Sequence, residues 1–179
     1  MCKICETKPV YEFTNQRKLC QRCYIQWFEK KFLYTIRKFK MIDKGDKIFI
    51  PNSEDICVKV LQKLVKDYAQ RGTIKLVKVK KDAKILSFKT ADDFAIDVIT
   101  FLLRGNEKDI IKIGKDKKEK HPLFLFLKKE VVLYARLKDI KGKREKNPTK
   151  IGVLLEEMEK KHPEVKNAVI QSYVKYYTE

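Results

Sequence analysis

Ile25, Phe28, Phe32 and Ile36 recur at spacings of three and four, which predicts an amphipathic helix over 23–39. Tyr24 and Trp27 flank this stripe, and the opposite side carries Lys30, Lys31, Arg37 and Lys38. Aromatics in such a stripe read as packing groups. Lys47 to Ile50 is a short strand closed by Pro51, and Asn52 or Ser53 can cap the helix that follows. That helix runs to about Arg71, with Cys57, Val60, Leu61, Leu64, Val65 and Tyr68 on one side and Gly72 as its stop. Strands are expected at 74–79, where apolar residues alternate with lysine, and at 84–88. Thr90-Ala-Asp-Asp93 has the form of a capping box with Asp in place of Glu, opening an apolar helix to Leu103. Strand, helix, strand, strand, helix with short joints implies a small, mostly parallel α/β layer.

Beyond it the pattern turns basic. Residues 112–129 read as a proline-interrupted connector and 130–137 as a helix. A second basic linker covers 138–146, and Asn147-Pro148 is a cap and first-turn pair for a helix carrying Ile151, Leu154, Leu155 and Met158. A last helix carries Val165, Val169, Ile170 and Tyr173 after the break at His162-Pro163. Both histidines precede prolines at expected turns, far in sequence from the cysteines. They read as turn residues.

Charge changes the picture more than composition does. Hydrophobic residues make up 44% of the 179, and no apolar run is long enough to span a membrane. Forty-two Lys and Arg against 24 Asp and Glu give a formal charge of +18. A field of that size attracts polyanions, of which nucleic acid is the commonest. A lysine-rich thermophilic surface usually balances Lys with Glu. An anionic membrane would need a basic amphipathic segment free of a core role.

Four of the five cysteines lie in the first 23 residues, as Cys2-Lys-Ile-Cys5 and Cys20-Gln-Arg-Cys23 with fourteen residues between. Each hook can aim two thiolates at one ion, and the loop brings the second pair across. Four soft sulfur ligands select zinc or iron–sulfur chemistry, and zinc in a closed structural site is the expectation. Bound zinc would bring the net charge to about +16. Two disulfides would need an oxidising compartment, and no secretory signal precedes Cys2. The chain thus divides into a zinc knuckle and basic helix (1–40), an α/β core (41–111), and a basic connector with C-terminal helices (112–179).

The joint at 50–56 is where such a fold cradles phosphate on helix N-terminal amides. Pro51-Asn-Ser-Glu-Asp-Ile56 has neither glycine nor lysine there, and two carboxylates that repel an anion. It reads as a helix cap. Four stretches nonetheless resemble, in order, the TtcA/TtuA-type tRNA 2-thiolation enzymes of the PP-loop ATP pyrophosphatase superfamily. The cysteine hooks run into LCQRCYIQWFEKKFLYTIRKFKMIDKGDKI, as that family's zinc finger runs into a basic helix and first strand. ADDFAIDVITFLLRGN is similar to its signature helix, KEVVLYARLK to its PEKEVALYA helix, and LLEEMEKKHPEVKNAVIQSY to a segment near its C-terminus.

The resemblance implies a PP-loop-like (adenine nucleotide alpha hydrolase-like) core, and it identifies Cys2, Cys5, Cys20 and Cys23 as the zinc ligands. The departures matter as much. The family's SGGKDS loop falls at 51–56, with Glu54 about where its lysine stands. Its catalytic cysteines have no counterparts, since only Cys57 lies outside the knuckle, on an apolar helix stripe. Asp92 and Asp93 match in type alone. The expectation is a cytoplasmic, zinc-containing RNA-binding protein, a catalytically inactive relative that binds tRNA or serves an active thiolation enzyme as accessory subunit. Rival expectations are a basic protein on ribosomal or other structured RNA, and an active sulfurtransferase with a non-standard nucleotide site. Phosphate contacts are expected from Lys30, Lys31, Arg37 and Lys38 on the helix and from Lys141, Lys143, Arg144 and Lys146 in the linker. Structured RNA is favoured over single strands, because no ladder of exposed aromatics is evident.

Overall fold

A computed structural model describes residues 1–70, 72, 74–106, 108, 118–143 and 149–177. The fourteen residues between the hooks form a hairpin that the sequence reading did not anticipate. β1 (Tyr11–Glu12) pairs antiparallel with β2 (Lys18–Leu19), with Tyr11 opposite Leu19. α1 (Gln21–Lys38) starts directly from the hairpin with Cys20 as its N-cap. Its buried stripe is Tyr24, Phe28, Phe32 and Ile36, with Cys23 and Thr35. Phe28, Phe32 and Ile36 are buried as the period predicts, while Tyr24 takes the buried place expected of Ile25, which is half-buried.

The sheet comprises β3 (Lys47–Phe49), β4 (Lys75–Leu76), β5 (Lys84–Leu86) and β6 (Glu119–Lys120) in the order β4-β3-β5-β6, and every pairing is parallel. α2 (Ile56–Ala69) connects β3 to β4, and α3 (Ala91–Leu103) lies between β5 and β6. Strand order reverses between β3 and β5, where Phe49 pairs with Ile85. In open parallel sheets this switch point, at the strands' carboxyl ends, is where ligands bind. Here it is flanked by the joints 50–55 and 87–90.

Three expectations need correction. The stretch 112–129 is no mere connector: it contributes β6, and Leu123, Phe124, Phe126 and Leu127 are buried in the core. Its flanking lysines masked a continuous apolar run, 123–127, which packs into the core in the turns between β6 and the next helix. α2 begins at Ile56 with Asp55 as its cap, later than Asn52 or Ser53 would place it. The strand expected over 74–79 shrinks to two residues at the sheet edge, with Leu76 and Val79 exposed. By contrast the Thr90–Asp93 box forms as read: the Thr90 amide and hydroxyl both donate to Asp93 Oδ2, at 2.7 and 2.8 Å.

Three helices follow: α4 (Lys128–Leu137), α5 (Lys150–Lys161) and α6 (Val165–Tyr177). The Asn147-Pro148 pair lies outside the described residues, and α5 is capped by the Thr149 hydroxyl, which accepts from the Gly152 amide. α3 packs on α5 and α6, while α4 packs on α1 and α2. One continuous cluster of buried residues runs from Cys2 through Tyr24, Leu61, Phe126 and Tyr134 to Val174. It draws on all three of the stretches expected from sequence. Phe28 stacks on Tyr134 at 4.2 Å between ring centres and leans on Phe126 at 4.4 Å, fixing α1 against α4. Such pairs contribute about 0.5–1.5 kcal/mol each beyond the area they bury.

Candidate metal centre and nucleic-acid interface

The hairpin folds the first cysteine hook onto the second. Lys3 donates its amide to Lys18 O, Val10 donates to Leu19 O, and the tight turn after Cys2 is closed by the Glu6 amide on Cys2 O. Cys20 and Cys23 stand at the N-terminus of α1, whose first turn carries no acidic residue. The helix dipole there favours thiolate over thiol at Cys20. All four sulfur atoms lie within 4.8 Å of one another, with Cys5 Sγ 3.3 Å from Cys20 Sγ and 3.6 Å from Cys23 Sγ. Tetrahedral Zn–S bonds of about 2.3 Å would set the sulfurs roughly 3.8 Å apart, so the cage fits one ion.

The Thr7 hydroxyl and the Cys23 amide hold the Cys20 thiol below its ordinary range, whereas burial and the neighbouring sulfurs push Cys23 up. All five cysteines are free of disulfides, and only Cys5 is exposed. The four sulfurs come together in a cage that can hold a metal ion, as their spacing predicts. Cys57 behaves differently: it is 2% exposed on α2, and burial pushes its thiol up.

Below the cage an aromatic group couples the knuckle to the body. Tyr11 meets Phe13 at 4.8 Å and Tyr24 at 5.0 Å, and Phe13 meets Trp27 at 4.7 Å. At its base is the carboxylate of Glu130, 4% exposed. It accepts from the Tyr11 hydroxyl at 3.1 Å and from the Leu127 amide at 3.0 Å, and it pairs with Lys31 Nζ at 3.5 Å. Sequence reading missed this residue. The helix starts at Lys128, two residues before the expected 130, so Glu130 takes its third position, where a carboxylate reaches back to the cap.

The basic residues expected to meet nucleic acid do not share one environment. Lys30, Arg37 and Lys38 are exposed on α1. Lys31 points inward instead, between the rings of Trp27 (4.9 Å) and Phe126 (4.5 Å) and onto Glu130. An ammonium so placed serves the fold. Lys141 and Lys143 are exposed, while Arg144 and Lys146 lie outside the described residues. Lys138 ion-pairs with Glu29 at 3.3 Å, which brings the start of the linker beside the middle of α1.

The linker is also held at its other described end. Lys143 O accepts from the Ile56 amide at 2.9 Å and Lys143 N donates to Glu54 O, so the strand–helix joint is covered. The Cys57 amide donates to Asp55 Oδ1 at 2.7 Å, and the Asp55 amide to Ser53 Oγ at 3.1 Å. Gly142 is required here: a Cβ would sit 2.9 Å from Ile56 Cα and 3.1 Å from Glu54 O. The first amides of α2, which an anion would need, are therefore committed within the chain.

Asp92 is committed as well. One of its oxygens accepts from the Lys128 amide, opening α4, and the other pairs with Lys166 Nζ, each at 2.6 Å. Lys166 is 6% exposed and also pairs with Glu159 at 2.7 Å, which in turn meets Lys129. This ionic group fastens α3, α4, α5 and α6.

No model of a known protein family matches the chain. A probable sulfurtransferase of Methanocaldococcus jannaschii is 28% identical over 182 aligned positions, which cover 94% of this chain and 50% of that protein. The chain thus spans about half the length of that curated relative. Among solved structures, the U34-tRNA thiolase NcsA from Methanococcus maripaludis, with its [4Fe-4S] cluster, superposes with a TM-score of 0.81 at 15% identity. That superposition covers 99% of this chain and 87% of the thiolase chain, and it bears on the fold. The resemblance read from the sequence is met twice, by a sulfurtransferase in sequence and a tRNA thiolase in fold.

Proposed function

We propose that the protein is a zinc-containing RNA-binding relative of the tRNA thiolation enzymes that performs no nucleotide chemistry at its strand–helix joint. The observation that carries this reading is the closure of residues 53–57 by the chain's own groups. Phosphoryl and adenylyl transfer depend on donors preorganised for developing charge. At this joint the Ile56 and Cys57 amides are already bonded to Lys143 O and Asp55, and Glu54 stands about where the resembled family has its lysine. Asp92 is held by Lys166, so neither element of the resembled nucleotide site is open.

Zinc is the ion proposed, because a cage within 4.8 Å suits a single centre, whereas a multi-iron cluster needs its thiolates spread wider. Transfer RNA is the first choice of ligand, supported by the tRNA thiolase that shares the fold and by the +18 charge. Lys30, Arg37 and Lys38, with Lys141, Lys143, Arg144 and Lys146 of the linker, are the proposed phosphate contacts. Lys31 contributes to holding them in place. The protein would act in the cytoplasm, alone on tRNA or as the RNA-binding partner of an active relative. No described helix is long and apolar enough to cross a membrane.

The test joins two titrations on zinc-loaded protein. Millimolar ATP should leave the melting temperature unchanged, because a ligand that does not bind the native state cannot stabilise it. Folded tRNA should bind in preference to a ribosomal RNA fragment of equal length, with an affinity that falls steeply with salt. An ATP-dependent rise in melting temperature that vanishes in Asp55→Ala would replace this reading with an active enzyme. Equal affinity for the two RNAs would replace tRNA with structured RNA in general.

A further inference from the structure

Every aromatic side chain of α1 except one is turned into the protein. Tyr24, Phe28 and Phe32 are fully buried, and Trp27 packs against Phe13 and Phe126. Tyr34 is 57% exposed, and among the described residues its ring meets no other aromatic ring and its hydroxyl no hydrogen-bond partner. Its helical neighbours are Lys30 at i−4, Arg37 at i+3 and Lys38 at i+4, all exposed. Residues at these spacings share one face, with Cβ atoms about 5–6 Å apart. None of the three cations has an acidic partner among the described residues. Lys38 lies over the Phe39 ring at 5.5 Å. Some surface lysines elsewhere are neutralised, as in Lys59 with Glu54, Lys63 with Asp67 and Lys84 with Asp43 and Asp46.

We propose that Tyr34 is a stacking platform for one unpaired RNA base, with Lys30, Arg37 and Lys38 holding the phosphates on either side of that nucleotide. The chemistry of the face decides the ligand. A flat π surface ringed by unneutralised cations is complementary to a group that is itself flat, aromatic and linked to anions, which describes a nucleotide. A duplex presents no free base face and would meet the cations alone. A single platform, as opposed to a ladder, binds one splayed nucleotide in a loop, bulge or end of an otherwise folded RNA. The helix is fit for this task because it is rigid at both contacts described above: the metal cage fixes its first turn, and the Phe28–Tyr134 stack fixes its middle. The stacking surface therefore costs little ordering entropy on binding. The inference rests on the RNA-binding reading above and adds to it a residue and a class of target.

The experiment compares wild type, Tyr34→Ala, Tyr34→Trp and Lys30→Ala, all zinc-loaded, by fluorescence anisotropy. The probes are an RNA hairpin with an unpaired loop and a blunt, fully paired duplex of equal length, each titrated across a salt series. Tyr34→Ala should bind the hairpin roughly five- to 150-fold more weakly, the range that one stacked base supplies. Its affinity for the duplex and its salt slope should be unchanged, and Tyr34→Trp should bind the hairpin at least as well as wild type. Lys30→Ala should weaken both probes and flatten the slope by roughly 0.7–0.9. Tyr34 is exposed, so Tyr34→Ala should melt with wild type. Hairpin affinity within twofold of wild type, or equal losses on hairpin and duplex, would overturn the platform while leaving RNA binding intact. Loss of self-association in Tyr34→Ala, with hairpin binding preserved, would reassign the residue to a protein contact. Wild type that binds neither probe would overturn the RNA reading itself.

Discussion

Replacing Glu130 with Gln tests how the knuckle is joined to the body. The change keeps the shape and removes the charge that neutralises Lys31. Glu130 has a side chain only 5% exposed, and Lys31 is 25% exposed, so the ion pair is largely shielded from water. Removing one partner of a buried pair costs about 3–5 kcal/mol, because the remaining charge is left uncompensated. The partial exposure of Lys31 places the expected cost near the lower end, about 3 kcal/mol. For a chain of this size that corresponds to a fall in melting temperature of roughly 6–12 °C. The loss should also depend on pH in one direction. Burial lowers the Lys31 pKa, while Glu130 pulls it back up, so in Glu130→Gln it falls further. A folded lysine pKa below the unfolded value is a penalty at neutral pH that fades as pH rises through the folded value. The difference between wild type and variant should therefore shrink toward alkaline pH. The double variant Glu130→Gln/Lys31→Met should recover most of the loss, since an apolar side chain suits the space between Trp27 and Phe126. Denaturant melts at pH 7 and at alkaline pH measure each step. A loss for Glu130→Gln below about 0.5 kcal/mol, in the range of ordinary surface changes, would refute the buried-charge argument, as would failure of the double variant to recover.

Elemental analysis should find one zinc per chain, and Cys20→Ala should lose it and unfold the hairpin while α2 to α6 keep much of their far-ultraviolet signal; full metal retention would discount the cage. Gly142→Ala should destabilise by about 1–3 kcal/mol, because its methyl meets the Ile56 backbone at 2.9 Å, and an unchanged denaturation midpoint would mean the linker is not seated there. Glu159 gives an acid limb: burial raises its pKa, but Lys129 and Lys166 outweigh this and hold it below the usual range. Its contribution is present above the unfolded carboxylate value and is lost as pH falls through the folded one. Acid titration of stability should accordingly be shallower in Glu159→Gln, and parallel curves would exclude the staple.

Spacing alone was enough for the cysteines, because two C-x-x-C hooks can close on a shared ion with little help from the rest of the chain. Period was enough for the helices: Phe28, Phe32 and Ile36 can face one way only if the core lies there. The Thr90–Asp93 box was legible because its groups lie within one helical turn. The environment of charged side chains was not legible in this way. Lys30 and Lys31 are adjacent in sequence and equal in chemistry, yet one is exposed and the other is drawn between two rings onto a carboxylate 99 positions away. The same holds for Asp92, whose partner Lys166 comes from the last helix, and for Gly142, whose need for a missing side chain arises from Ile56. The apolar run 123–127 was hidden among lysines, and only its packing against helices distant in sequence places it inside. Local pattern determines which elements form and which face is apolar, because those depend on near neighbours along the chain. Which charges are buried, which helix terminus is closed and which aromatic is left in water depend on segments distant in sequence, and only the tertiary structure brings those together.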